Sequence, residues 1–132
     1  MIGKNNPFNL RYSKLNNWIG QNGQTRGFCD FQLVDYCIRA VAILVMRSYR
    51  KKGVLSIYEI IERYAPPSEN NTRKYVDYVC HAMSAFPWDI PTRDEYPALL
   101  CAMSVYEGNP VSIDEIKRVL NAFKIVPYKK KK

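Results

Sequence analysis

The chain has 132 residues, 47% of them hydrophobic and 13% aromatic, with a formal net charge of +8. That length describes one domain with enough chain to bury a core without staples, and the composition excludes a disordered polymer. The terminal run Lys129–Lys132 carries four of the charges and the remaining +4 is spread over the body, so attraction to a polyanion is open: nucleic acid, a membrane surface or an anionic cell-wall polymer.

Residues 1–31 are rich in Asn, Gly, Gln and aromatics and show no helical period, which predicts loops with short strands over 8–12 and 27–31. "QLVDYCIRAVAILVMRSYRKKG" predicts a long helix over 32–51, apolar almost all round and therefore central, stopped at Gly53. Its "AVAILVM" run is too short to span a bilayer. Ser56 and Glu59 form a capping box for a helix over 57–64, which Pro66-Pro67 ends. Ser68, Asn71 and Thr72 are candidate caps for a helix over 72–85, and a Pro-rich connector leads to a helix over 95–107 with Pro97 in its first turn. Ser112 and Glu115 repeat the capping-box spacing ahead of a helix over 113–123. The fold class is mainly α (α+β), a helical domain over 1–128 with a small N-terminal β element, followed by a basic tail, 129–132.

Cys29, Cys37, Cys80 and Cys101 have no CxxC spacing and only His81 to join them, so no metal or other cofactor is expected. The thiols read as buried and free, which fits synthesis in a reducing compartment. The N-terminus lacks the apolar core of a signal peptide. There is no phosphate-binding Gly loop, nucleophile elbow or RNA-recognition signature, so a nucleic-acid partner is disfavoured.

Three constellations can carry chemistry. The run "PALLCAMSVYEGNP" ends an apolar stripe (Leu99, Leu100, Met103, Tyr106) on Glu107, a poor residue for the negative end of a helix. A carboxyl beside a buried stripe is what glycosidic-bond cleavage asks of a general acid; a solvated helix end is the plain alternative. The proline-stiffened loop "RYAPPSENNTRKY" gathers Tyr64, Glu69, Asn71 and Tyr75, either to line a site or to connect two helices. In the N-terminal segment, aromatics including Tyr12, Trp18 and Phe28 alternate with amides and Arg11, a composition that suits sugar rings, single-stranded bases or a local minicore.

"KNNPFNLR", "WIGQ", "GFCDF" and "RYAPPSENNTRKYVDYV" together resemble a family of phage- and prophage-encoded proteins often labelled virion structural proteins. The family pattern reads roughly NNPxNIR, WxGQ, GFxxF, GIRA, YAPPSENxTxxY, and it covers about residues 4–110. Cys37 stands where the family shows Gly. More distantly, the order resembles glucosaminidases of the flagellar-muramidase type, whose catalytic glutamate precedes the Asn-Asn segment. Only Met1 to Lys4 precede Asn5 here, so that glutamate is not expected at the same place. "LLCAMSVYEGNP" instead resembles the lysozyme and lytic-transglycosylase segment of apolar helix, Glu, Ser and Asn-Pro, with Gly108 at the Ser position and a shorter spacer. These resemblances imply a lysozyme-like domain, circularly permuted so that the catalytic helix comes late.

They further imply peptidoglycan as partner, with Glu107 as general acid and Glu69, or less well Asp30, as a second carboxylate. Tyr64, Asn71 and Tyr75 would position the sugar, and Arg11, Tyr12, Trp18 and Gln24 would line a glycan groove. The implied sites of action are the cell wall or the virion. The competing implication is a non-catalytic virion protein that binds glycan or other virion proteins.

Overall fold

The computed structural model describes residues 1–130; Lys131 and Lys132 of the expected basic tail lie outside the described residues. Two antiparallel strands, β1 (Gln21–Thr25) and β2 (Phe28–Phe31), precede five α-helices. These are α1 (Val34–Ile43), α2 (Ile57–Tyr64), α3 (Thr72–Met83), α4 (Tyr96–Tyr106) and α5 (Ile113–Ala122). The class is α+β, mainly helical.

Strand β1 was not anticipated, because "QNGQT" is polar and almost wholly exposed: its stability comes from pairing with β2, not from burial. Arg26 and Gly27 join the two strands with φ of 49° and 86°, the double positive φ of a two-residue hairpin turn. The strand expected over 8–12 shrinks to one bridge, Arg11 to Phe28. Asn9 adopts φ 50°, which breaks the extended chain before it can lengthen.

Helix α1 is the centre of the core, with Cys37, Ile38, Ala40 and Val41 fully buried. Its expected length to residue 51 is reached through a π-helical stretch, Leu44–Tyr49. At Gly53 (φ 79°) the amides of Gly53 and Val54 turn back to the carbonyls of Arg50 and Tyr49, closing the helix with a Schellman motif. Segment 125–128 folds over this stretch: Tyr128 N donates to Met46 O at 3.0 Å and Arg47 donates to Val126 O at 2.9 Å.

The Ser56–Glu59 capping box is formed in full. Of the three candidate caps for α3, Asn71 is the one used, accepting from Lys74 N. Helix α3 stops two residues short of expectation because Ser84 turns left-handed, φ 52°. Ser112 accepts from Glu115 N at α5, which is one half of the expected box. Helix α4 is apolar on nearly every side and packs between α3 and α5, while α5 returns to α1. Arg118 of α5 grips Asp35 of α1 through both carboxylate oxygens, at 2.8 and 3.1 Å.

The N-terminal segment is fastened by its asparagines. Asn6 is completely buried; its amide donates to Leu10 O and Cys29 O, and its carbonyl accepts from Leu10 N and the Cys37 thiol. The Cys37 thiol therefore adds a donor to this knot. All four thiols are raised by burial, Cys29 to about 11 with the Asp30 charge adding to it, which leaves them as inert packing groups. Among the described residues no helix is long and apolar enough to cross a membrane.

Candidate functional site

Glu107 is the C-cap of α4, immediately after Tyr106 and just before the chain reverses. Gly108 (φ 88°) and Asn109 donate to the carbonyls of Val105 and Ser104, a Schellman motif that only a residue without a side chain enters cheaply. The reversal holds the Glu107 side chain half-buried against the N-terminal segment. Asn9 Nδ2 donates to Glu107 Oε1 at 2.9 Å, and Asn109 Nδ2 donates to Pro7 O at 3.3 Å and Glu107 O at 3.2 Å. Loops about a hundred residues apart in sequence are thus reciprocally bonded.

They enclose a cavity of about 100 Å³ whose wall includes Asn9, Arg11, Phe28, Tyr64, Asn70 and Glu107. The Tyr64 hydroxyl donates to Phe8 O at 2.7 Å. Tyr75 is buried beneath, stacked on Tyr106 with ring centroids 4.0 Å apart. Burial first, then the nearby Glu107 charge, raises the Tyr75 phenol far above its ordinary value; burial first, then Tyr75, does the same for Tyr64. Both phenols are held as proton-bearing donors. At the rim, Arg11 lies 5.1 Å over the Phe28 ring and 3.4 Å from Glu69, with both charged side chains about half exposed. The two charges of the pair offset each other at the rim. Asn9 Oδ1 is buried with no hydrogen-bond partner among the described residues, an acceptor left over in the cavity wall.

Of the residues singled out from the sequence, the fold brings together Glu107, Tyr64, Arg11 and Tyr75, with Glu69 at the rim through Arg11. Others go elsewhere. Asp30 is engaged by Thr25 Oγ1 and Lys4 N inside the hairpin. Gln24 accepts from Gly27 N at the hairpin turn, Trp18 packs partly buried against the core, and Tyr12 is exposed; none of the three lines the cavity. Asn71 is spent on the α3 cap, and its neighbour Asn70 reaches the cavity instead. Asn9 was missed. Its signal was the third asparagine of "NNPFN", a residue that tolerates the left-handed turn and offers an amide to a carboxylate.

No family model matches the chain. It is 35% identical over 125 residues to Protein P5 of Pseudoalteromonas phage PM2, an alignment covering 89% of this chain and 77% of that protein. The chain belongs to the phage P5 family. The phage affiliation drawn from the "NNPFNLR" and "YAPPSENNT" segments is thereby given a concrete relative, and virion partners are consistent with it.

Proposed function

We propose that this P5 homologue cleaves the glycan strand of peptidoglycan, with Glu107 as its general acid. One observation carries the reading: a half-buried carboxyl at the end of an apolar helix, one oxygen fixed by Asn9 at 2.9 Å, forming part of a cavity wall. Glu107 gives its proton to the glycosidic oxygen as the C–O bond breaks and the bonding pair leaves with that oxygen. The sugar left behind carries oxocarbenium character. The carboxylate then takes the proton of the sugar's own 6-hydroxyl as it closes on C1, which restores Glu107. This lytic-transglycosylase course needs one carboxyl. The hydrolytic course needs a second, and Glu69 is held by Arg11 at 3.4 Å, which favours the first.

Phe28, Tyr64 and Asn70 offer an aromatic face, a phenol and an amide around the reacting sugar. Swinging the half-exposed Arg11–Glu69 pair aside widens the mouth. The proximity of residues 5–9 to 107–109 supports a permuted lysozyme-like arrangement, since it puts late and early segments at one site. The charge of +8 favours an anionic wall.

A second reading, a non-catalytic virion component, draws on a different observation. Asn9 and Tyr64 already bond within the protein, and a cavity of about 100 Å³ is below the usual size of small-molecule sites. In that reading Glu107 is a knot between two loops. Purified peptidoglycan decides between them, followed by turbidity and muropeptide analysis. Glu107→Gln keeps a carbonyl for Asn9 but has no proton to give. The expected result is clearing by the wild type, reduced roughly 100-fold or more in the variant, with anhydro product ends. No clearing by either folded protein assigns the virion role.

A further inference from the structure

The connector between α3 and α4 presents two aromatic rings to water. Phe86 and Trp88 are 59% and 70% exposed and stack on each other, centroids 5.0 Å apart and planes within 5°. Their backbone is held firmly. Ile57 N and Tyr58 N, the free amides at the start of α2, donate to Asp89 O and Pro87 O at 3.0 and 2.9 Å, and Asp89 Oδ2 accepts from Phe86 N at 2.9 Å. This capping uses main chain and one carboxylate, so folding does not require aromatic side chains at 86 and 88. Exposed, rigidly mounted aromatics of this size mark an interaction surface.

Between them, Pro87 forms part of the wall of a cavity of about 490 Å³, well within the range of small-molecule sites. Its other walls include Tyr58, Asn70, Asn71, Arg73 and Asp77. Among the described residues, neither Arg73 nor Asp77 forms a salt bridge. Asn70 belongs to both this cavity and the Glu107 cavity, so the two are neighbours along one surface.

We propose that the Phe86–Trp88 platform and this cavity form a saccharide-binding subsite for an N-acetylated sugar chain, continuous through Asn70 with the Glu107 site. The proposal rests on the glycan reading of that site. Sugar rings have apolar C–H faces that stack on aromatics and hydroxyl edges that need amides and charged groups in place; Tyr58, Asn70, Arg73 and Asp77 supply these. The local charge argues against a polyanion. Asp89 accepts from Phe86 N, Asp77 lines the cavity together with Arg73 and Glu62 accepts from the Tyr58 hydroxyl, whereas the basic groups at Arg47, Lys51 and Lys52 belong to the end of the core helix.

The test uses the N-acetylglucosamine tetramer as a soluble probe and purified peptidoglycan as a sedimenting one, both with Glu107→Gln so that no strand is cut. The tetramer is expected to change tryptophan fluorescence, and Trp88→Phe, which keeps Trp18, abolishes the change. Adding Phe86→Ala and Trp88→Ala together weakens co-sedimentation roughly tenfold or more. Unchanged co-sedimentation overturns the proposal. So does a platform-dependent gain of binding to oligothymidine, or self-association that disappears in the double variant, with no response to the sugar. The two readings fail separately. Clearing is read separately with Glu107 intact: sugar binding through Trp88 without wall clearing removes the catalytic reading alone, and clearing that is indifferent to the Phe86→Ala and Trp88→Ala changes removes this one alone.

Discussion

At the Glu107 cavity, amides, a carboxyl and two phenols are withdrawn from water; at the Phe86–Trp88 platform, two aromatic rings are put into it. The first region is stabilised by polar groups that find one another: Asn6 with four partners, Asn9 with Glu107, Tyr64 with Phe8. The second is stabilised by its backbone, with the rings left over. A buried polar group costs free energy when its partner is removed, while an exposed ring costs little to delete. Substitution should therefore cost stability in the first region and almost none in the second.

The largest effect is expected at Asn6. Asn6→Ala strands Leu10 N and the carbonyls of Leu10 and Cys29 and opens a hole, for a loss of about 3 kcal/mol or more in chemical denaturation. A loss below about 1 kcal/mol would mean that water replaces the side chain and the knot is not structural. Ser104→Ala comes next. Its hydroxyl is buried, accepts from Val111 N at 2.8 Å and donates to Cys101 O at 2.7 Å, so about 1–3 kcal/mol is expected from the orphaned amide. Asn9→Ala should cost about 1 kcal/mol, since the hydrogen bond to the Glu107 carboxyl is lost but an unpartnered buried carbonyl goes with it. On the proposed glycan-cleaving role its larger effect is on wall clearing, because Glu107 loses the bond that orients it.

Trp88→Ala should leave the free energy of unfolding unchanged to within about 0.5 kcal/mol, and a clear drop would make the platform part of the core. The smallest effect is at the Asp35–Arg118 pair, which joins α1 to α5 at the surface. The hydrogen bond from Arg118, ahead of its charge, lowers the Asp35 carboxyl below its ordinary value. A lowered folded-state value gives stability that is full above the unfolded value of about 3.9 and fades as pH falls through the folded one. Melting curves from pH 5 to pH 2.5 should show Asp35→Asn missing a small part of the wild type's acid loss, and identical curves would show the pair contributes nothing.

How much was legible in the sequence differed by element. Five helices came through because capping boxes, prolines and apolar periodicity are local, and these set the starts and stops of α2 and α5 nearly to the residue. The hairpin did not, since β1 has no apolar alternation and owes its existence to a partner strand. Glu107 stood out because a carboxylate is out of place at a helix C-terminus. Asn9 did not, because its role depends on a carboxyl almost a hundred residues away. Trp18 and Gln24 looked right for a groove by type, but one packs against the core and the other closes a turn. The Phe86–Trp88 pair lies in a Pro-rich connector whose residue pattern signals only the end of one helix and the start of the next.

The sequence by itself determined which segments are helical, that the "AVAILVM" helix is central, and that Glu107 sits at the edge of a buried stripe. Each of these follows from residues within a turn or two of one another, whose spacing fixes the face they share. Tertiary structure alone decided that Asn9, Tyr64 and Asn70 meet Glu107, that Glu69 is tied to Arg11, and that Trp88 remains in water. Those outcomes depend on which loops are brought together when the helices bury their apolar faces. No local pattern encodes that choice, because hydrophobic burial is non-directional and the polar contacts that give it direction form between distant parts of the chain.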